Sequence, residues 1–187
     1  MTSISPERAS ALNLFAACSR TVLDKIELDL AAAFGRPQSE LTTLISVRHC
    51  DTFTVGWLSE VLTLTHSAAV RIVDRLEQSG LLRRITQENR RYVGLLLTAE
   101  GIALADEILR VRREALNQLF QDISDEDLLH ALPAIETLLR SATSDDLAGY
   151  RICRQCDEAM CGPDCVVEQF YIAQTSDQSA IDKPAAA

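Results

Sequence analysis

Residues 54–97 constrain the fold more than any other part of the chain. Thr54 caps a short helical segment running to Leu62, and Thr63-Leu64 leaves room only for a tight link. Thr65 then caps a second helix, from His66 to about Ser79, closed by Gly80. In that helix Ala69, Ile72, Val73 and Leu76 share one face. Ser67, Val70, Arg71, Asp74 and Gln78 share the other, with Arg75 at the border. The apolar period then shortens to two: residues 82–86 and 91–97 read as strands, and Gln87-Glu88-Asn89-Arg90 is the turn between them. Two short helices around a tight turn, followed by a hairpin carrying Arg83, Arg84, Arg90 and Arg91, suggest a helix-turn-helix with a β-ribbon behind it.

Long helices flank this unit. Ser5-Pro6-Glu7 is a helix start, and Leu12, Phe15, Ser19, Val22, Ile26 and Leu30 follow a helical stripe that ends at Gly35 and Pro37. A helix of about 29 residues spans ~43 Å, too long for one small core, so it should pack on something beyond its own subunit. A second helix is expected over 40–49, with Leu41, Leu44 and Ile45 inward. Thr98 caps a helix over 99–121, and Ser124 caps one to about 142. Pro133 should kink or break that last helix. The result is a mainly α chain with little sheet, in keeping with only 7 Gly and 5 Pro.

The net charge of −9 argues against nucleic acid only as an average. The acids gather at Asp122, Asp125, Glu126, Asp127, Glu136, Asp145 and Asp146. Between Thr54 and Thr98 six Arg face four acids, a local +2. No apolar run is long enough to span a bilayer. Leu14 to Cys18 loosely matches a lipoprotein cleavage box, but Glu7 offsets Arg8 and Asn13 interrupts the apolar run. A cytoplasmic protein without a membrane partner is expected.

Val73-Asp74-Arg75-Leu76-Glu77-Gln78-Ser79-Gly80-Leu81, then Arg83-Arg84, Asn89-Arg90-Arg91 and Leu97-Thr98-Ala99-Glu100-Gly101, resemble the MarR family of bacterial winged-helix regulators. The resemblance implies a winged helix-turn-helix with long N- and C-terminal dimerisation helices. It also implies an obligate homodimer on palindromic double-stranded DNA. Three positions depart from the family pattern. Asn89 stands where Asp is usual, so the wing-tip salt bridge to Arg91 is expected to be missing. Thr63 stands where Gly is usual, so the turn should be strained. Pro133 is unusual in the last helix.

Groove chemistry gives the candidate DNA contacts. A helix fits the major groove, where each base pair shows a distinct hydrogen-bonding edge. His66, Ser67 and Arg71 point toward base edges. Thr65 and Ser67, with the helix N-terminus, suit a phosphate. Arg75 suits a phosphate as well, and Arg90 or Arg91 suits the minor groove. A repressor role is expected on this reading, and a small-molecule effector is an expected partner.

Four of the six cysteines fall together: Cys153, Cys156, Cys161 and Cys165, spaced C-x2-C-x4-C-x3-C. Cytosolic thiols stay reduced, so this density points to metal or redox chemistry. The spacing is close to a zinc knuckle, and structural zinc is the expected cofactor. An iron–sulfur cluster and a disulfide switch are the alternatives, although the common bacterial cluster spacing differs in the middle gap. Arg151 and Arg154 stand beside the cysteines and could offset a four-thiolate site. Val166, Val167, Phe170 and Tyr171 form an apolar segment for the long helices. Cys18 is expected to be a small buried residue, and His49-Cys50 an ordinary helix end.

The expected organisation is thus a dimerisation helix over 1–37, a DNA-binding unit over 38–98, C-terminal dimerisation helices over 99–145, a cysteine-rich metal-binding segment over 146–172 and a disordered tail over 173–187. Two other functional readings stay open. One is a redox protein with an iron–sulfur or thiol centre; the other is a degenerate helix-turn-helix used for interaction. No Ser/His/Asp order, Gly-rich phosphate loop or paired carboxylate site stands out, so an enzyme is not expected.

Overall fold

The computed structural model describes residues 4–49, 53–86, 93–161 and 165–169. Helix α1, Pro6–Phe34, begins where Ser5 Oγ accepts the Arg8 N–H at 3.3 Å. It ends at Gly35, in the left-handed region at φ 58°, which donates its N–H to the Ala31 carbonyl. Only its C-terminal half packs within the chain, where Ile26 and Leu30 are buried against α5. The expected stripe is therefore split: Leu12 and Phe15 stay exposed. Cys18, expected to be buried, is exposed for the same reason, because none of the described residues covers that half of α1.

Helix α2, Gln38–Arg48, is the centre of the molecule. Leu41, Leu44 and Ile45 are buried as the pattern demands, but so are Glu40, Thr42, Thr43 and Ser46 on its other sides. Helix α3, Val55–Val61, starts where Thr54 Oγ1 accepts the Trp57 N–H at 3.1 Å. Helix α4, His66–Gln78, follows after four residues. The strands β1, Leu82–Thr86, and β2, Val93–Leu97, pair antiparallel from Leu82↔Leu97 to Thr86↔Val93. A bridge from Thr54 to Gly94, with Leu95 N–H donating to the Phe53 carbonyl at 2.7 Å, ties this hairpin to the entry of α3. The expected turn and wing tip, residues 87–92, lie outside the described residues, as does Cys50.

Helix α5, Ala99–Leu119, starts at the Thr98 cap and lies along α1 and α2. Helix α6, Asp125–Ala142, starts at the Ser124 cap and has no buried residue. The break expected at Pro133 does not occur, and the helix runs through it. Proline removes one N–H, whose acceptor in the preceding turn is the Leu129 carbonyl. Leu129 is exposed, so water can satisfy that carbonyl. Two further helices follow, α7, Asp146–Cys153, and α8, Glu158–Cys161. Among the described residues no helix is long and apolar enough to cross a membrane.

Thr63 carries the expected strain. Its φ is +56°, the one positive value at a non-glycine residue among the described residues. The left-handed region crowds a β-branched side chain and costs of order 1 kcal/mol or more. Thr63→Gly is expected to raise the unfolding free energy by about 1 kcal/mol, after the entropy that glycine adds to the unfolded chain. A urea midpoint that rises with an unchanged slope would show it; an unchanged midpoint would mean that the turn carries no net strain.

Candidate nucleic-acid interface and cysteine segment

On α4 the chain separates anchor from display. Ala69, Ile72, Val73 and Leu76 are buried, while His66, Ser67 and Arg71 are exposed on the opposite face. Thr65 accepts the Ala68 N–H at 3.2 Å and lies 3.3 Å from Ser67 Oγ, so the two hydroxyls sit together at the helix start. Arg71 takes part in no recorded ion pair among the described residues, and neither does the exposed Arg83 on β1.

Two other arginines are partly committed inside the fold. Arg75 Nε is 2.6 Å from Glu40 on α2, a carboxylate with a side chain only 5% exposed that also holds Arg36 at 3.1 Å. This pair orients α4 on α2, and its signal in the sequence is only Glu40, an acid in the first turn of an otherwise core helix. Arg84 on β1 bonds both Asp74, at 2.6 Å, and Glu77 of α4. Burial opposes the Arg84 charge, but the hydrogen bonds it donates to Asp74 and Glu77 outweigh that and raise its pKa. Glu77 also accepts the Arg84 backbone N–H at 3.0 Å. The wing is thereby clamped to the helix beside it. Arg90 and Arg91 lie outside the described residues.

The cysteine segment is bonded to the helices of the winged-helix unit. Asp145 caps α7 by accepting the Ala148 N–H at 2.8 Å, a signal legible in Asp145-Asp146-Leu147. Tyr150 of α7 sits edge-on to Phe53 at 5.7 Å and to Trp57 at 5.6 Å between ring centroids. Arg151 Nε donates to the Glu60 carbonyl at 3.0 Å, gripping α3. On α2, Ser46 Oγ donates to the Arg154 carbonyl at 3.4 Å, and Thr42 Oγ1 accepts from Gln155 at 2.9 Å. His49 Nε2 donates to the Cys156 carbonyl at 2.8 Å, while its Nδ1 lies 3.1 Å from Glu158. Arg113 of α5 pairs with the buried Asp157. Thr42 and Ser46 of α2 thus meet this strap, whereas Glu40 is held by Arg36 and Arg75. His49, read from the sequence as an ordinary helix end, is one of the strap's fasteners.

The four cysteines are free thiols. The hydrogen bond between Cys153 and Cys156 raises the first and lowers the second, with the Arg112 and His49 charges also favouring the Cys156 thiolate. Burial raises Cys161, which also bonds to Cys165. Two thiol pairs therefore stand within electrostatic reach of each other. They do not close into one shell: among the described residues no group of three or more His, Cys, Asp or Glu forms a metal cage. Arg151 and Arg154, expected to balance the cluster, are turned to the Glu60 and Arg151 carbonyls instead. Arg112 is the cation that acts on the thiols, and its Nε is buried without a hydrogen-bond partner. Val166 and Val167 are buried as expected, while Phe170, Tyr171 and the tail lie outside the described residues.

A helix-turn-helix with its second helix displayed and an arginine-bearing hairpin clamped beside it defines a winged-helix protein. Residues 37–93 match the model of the MarR family. The chain is 26% identical over 140 residues to the HTH-type transcriptional repressor MdtR of Bacillus subtilis, spanning 67% of this chain and 90% of that one. It is 36% identical over 70 residues to the HTH-type transcriptional regulator PecS of Dickeya dadantii, spanning 37% and 42%. Its fold matches a MarR family protein from Bacillus stearothermophilus with a TM-score of 0.67 at 20% identity, over 76% of this chain and all of that one. The fold is that of the solved MarR family proteins, and the sequence likeness to that family's winged helix-turn-helix regulators is carried by residues 37–93. The cysteine segment lies beyond the matched span.

Proposed function

We propose that this regulator is a repressor that binds palindromic double-stranded DNA as a homodimer, with α4 in the major groove and the β1–β2 wing along the backbone. One observation carries the reading: the capped start of α4 shows Thr65, His66, Ser67 and Arg71 to solvent while its other face is fixed in the core. A helix held this way meets base edges without paying to become ordered. The repressor role follows the designation of MdtR.

The homodimer is supported by what the single chain leaves uncovered. Leu12, Leu14 and Phe15 of α1 are exposed, and so are Leu128, Leu129 and Leu132 of α6. Apolar surface on this scale marks an interaction face. A two-fold axis through these helices would set two α4 helices about one DNA turn apart, near 34 Å.

Arg71 and Arg83 test the DNA reading because each is exposed and neither holds the fold together. Arg71→Ala is expected to cost about 1–3 kcal/mol on the chain's own upstream DNA and to relax sequence preference. Arg83→Ala is expected to weaken all duplexes alike and lower the salt slope by about 1. Gel-shift titrations across a salt series separate the two. Wild-type protein that ignores every duplex would instead make this a helix-turn-helix used for protein interaction.

A further inference from the structure

The DNA-reading surface uses none of Cys153, Cys156, Cys161 and Cys165, yet the fold carries them to one side of α5 on a segment bonded to α2, α3 and α5. We propose that these four cysteines bind one thiophilic divalent cation of the zinc class, and that this ion locks the α7–α8 segment onto α2 and α3.

The donor set has the chemistry for it. Four sulfur ligands are what a tetrahedral structural zinc site needs, and they fall within thirteen residues. Cys153 ends α7 and Cys156 follows three residues later, with its carbonyl held by His49. Cys161 ends α8, and Cys165 stands four residues on. Cys156 and Cys161 line one hollow beside Arg112, and a cation there would have to draw Cys153 and Cys165 in to close the shell.

The surroundings fit the charge of such a site. Four thiolates around a divalent ion carry a net charge of −2, which a partly buried position tolerates only beside a cation. Arg112 supplies one, and its buried Nε lacks any hydrogen-bond partner. A hollow of about 300 Å³ between α5 and the segment is lined by Arg112, Asn117, Cys156 and Cys161. Arg113 does not serve there, because Asp157 holds it.

The stretch that carries the cysteines has little apolar core of its own. Between Cys153 and Cys165 the large apolar side chain is Met160, and it is 69% exposed. Its links to α2 and α3 are mostly single hydrogen bonds, each contributing about 1 kcal/mol net. Zinc binding in a structural site is itself folding free energy, far larger than any one of these. The ion would make the segment a fixed buttress behind α3, the helix on which α4 rests.

This proposal is independent of DNA binding, and its test uses none. Native full-length protein, purified without oxygen, is expected to carry about one zinc per chain. Cobalt(II) in its place should give the visible bands of a tetrahedral four-thiolate site. Cys156→Ser/Cys161→Ser should hold less than about a tenth of the metal. Should that variant fail to fold, the native protein suffices. Removing the ion with a chelator is expected to speed amide hydrogen exchange at least about tenfold in residues 146–161 and in α3, while the centre of α5 stays protected. Metal-free native protein, two disulfides, or the brown absorption of an iron–sulfur cluster would each overturn the assignment. Exchange in α3 that ignores the metal would overturn the buttress.

Discussion

Gly101→Ala is expected to destabilise the protein by about 3 kcal/mol. A Cβ built on Gly101 meets the Leu81 carbonyl oxygen at 1.9 Å and its carbon at 2.9 Å. Both sides of the contact are pinned. Leu81 donates its N–H to Leu76 and accepts one from Thr98, while Thr98 caps α5 through the Gly101 N–H and bonds the Gly80 carbonyl at 2.6 Å. Alanine in the first turn of a helix should otherwise gain up to about 1 kcal/mol over glycine. The steric conflict must outweigh that gain, because neither backbone can retreat without breaking a cap. The readout is the midpoint of chemical denaturation. A stabilised variant would mean that α5 does not start against Leu81, and the junction between wing and α5 would need redrawing.

Phe15→Asp/Leu132→Asp is expected to convert the proposed dimer to a folded monomer and to weaken binding to the proposed operator by about 100-fold or more. Both side chains are exposed in the single chain, at 43% and 39%, so the substitutions remove nothing from its core. A charge buried in an apolar interface costs several kcal/mol, enough to dissociate a dimer of ordinary strength. Once the subunits separate, the second half-site is no longer bound intramolecularly. That linkage is worth about 10²–10⁴ in affinity. Sedimentation at micromolar protein reads the assembly, and gel-shift reads the DNA. A variant that stays dimeric would move the interface away from α1 and α6. A monomer with unchanged affinity would remove the two-fold reading of DNA.

The sequence by itself determined every element whose signal is local. Ser5, Thr54, Thr65, Thr98 and Ser124 mark helix starts because a side-chain oxygen satisfies a nearby N–H, an interaction three residues long. The apolar face of α4 and the strain at Thr63 were legible for the same reason: both follow from the residue and its immediate neighbours. The four-cysteine spacing was legible as a cluster. Only the tertiary structure decided what joins elements far apart in the chain. Glu40 meets Arg75 across 35 positions, and His49 meets Cys156 across 107, through contacts that no periodicity encodes. Pro133 shows the converse. Its local rule predicts a break, but the freed carbonyl lies on a helix with no buried residue, where water can take the missing partner's place. The charge count could not show the pairing. Six arginines lie between Thr54 and Thr98, and the fold draws Arg75 and Arg84 into ion pairs that fix α4 and the wing. Local patterns fix where helices begin because caps act over one turn. Long-range pairs decide which charges face solvent, because a carboxylate brought close by folding competes with water for each guanidinium.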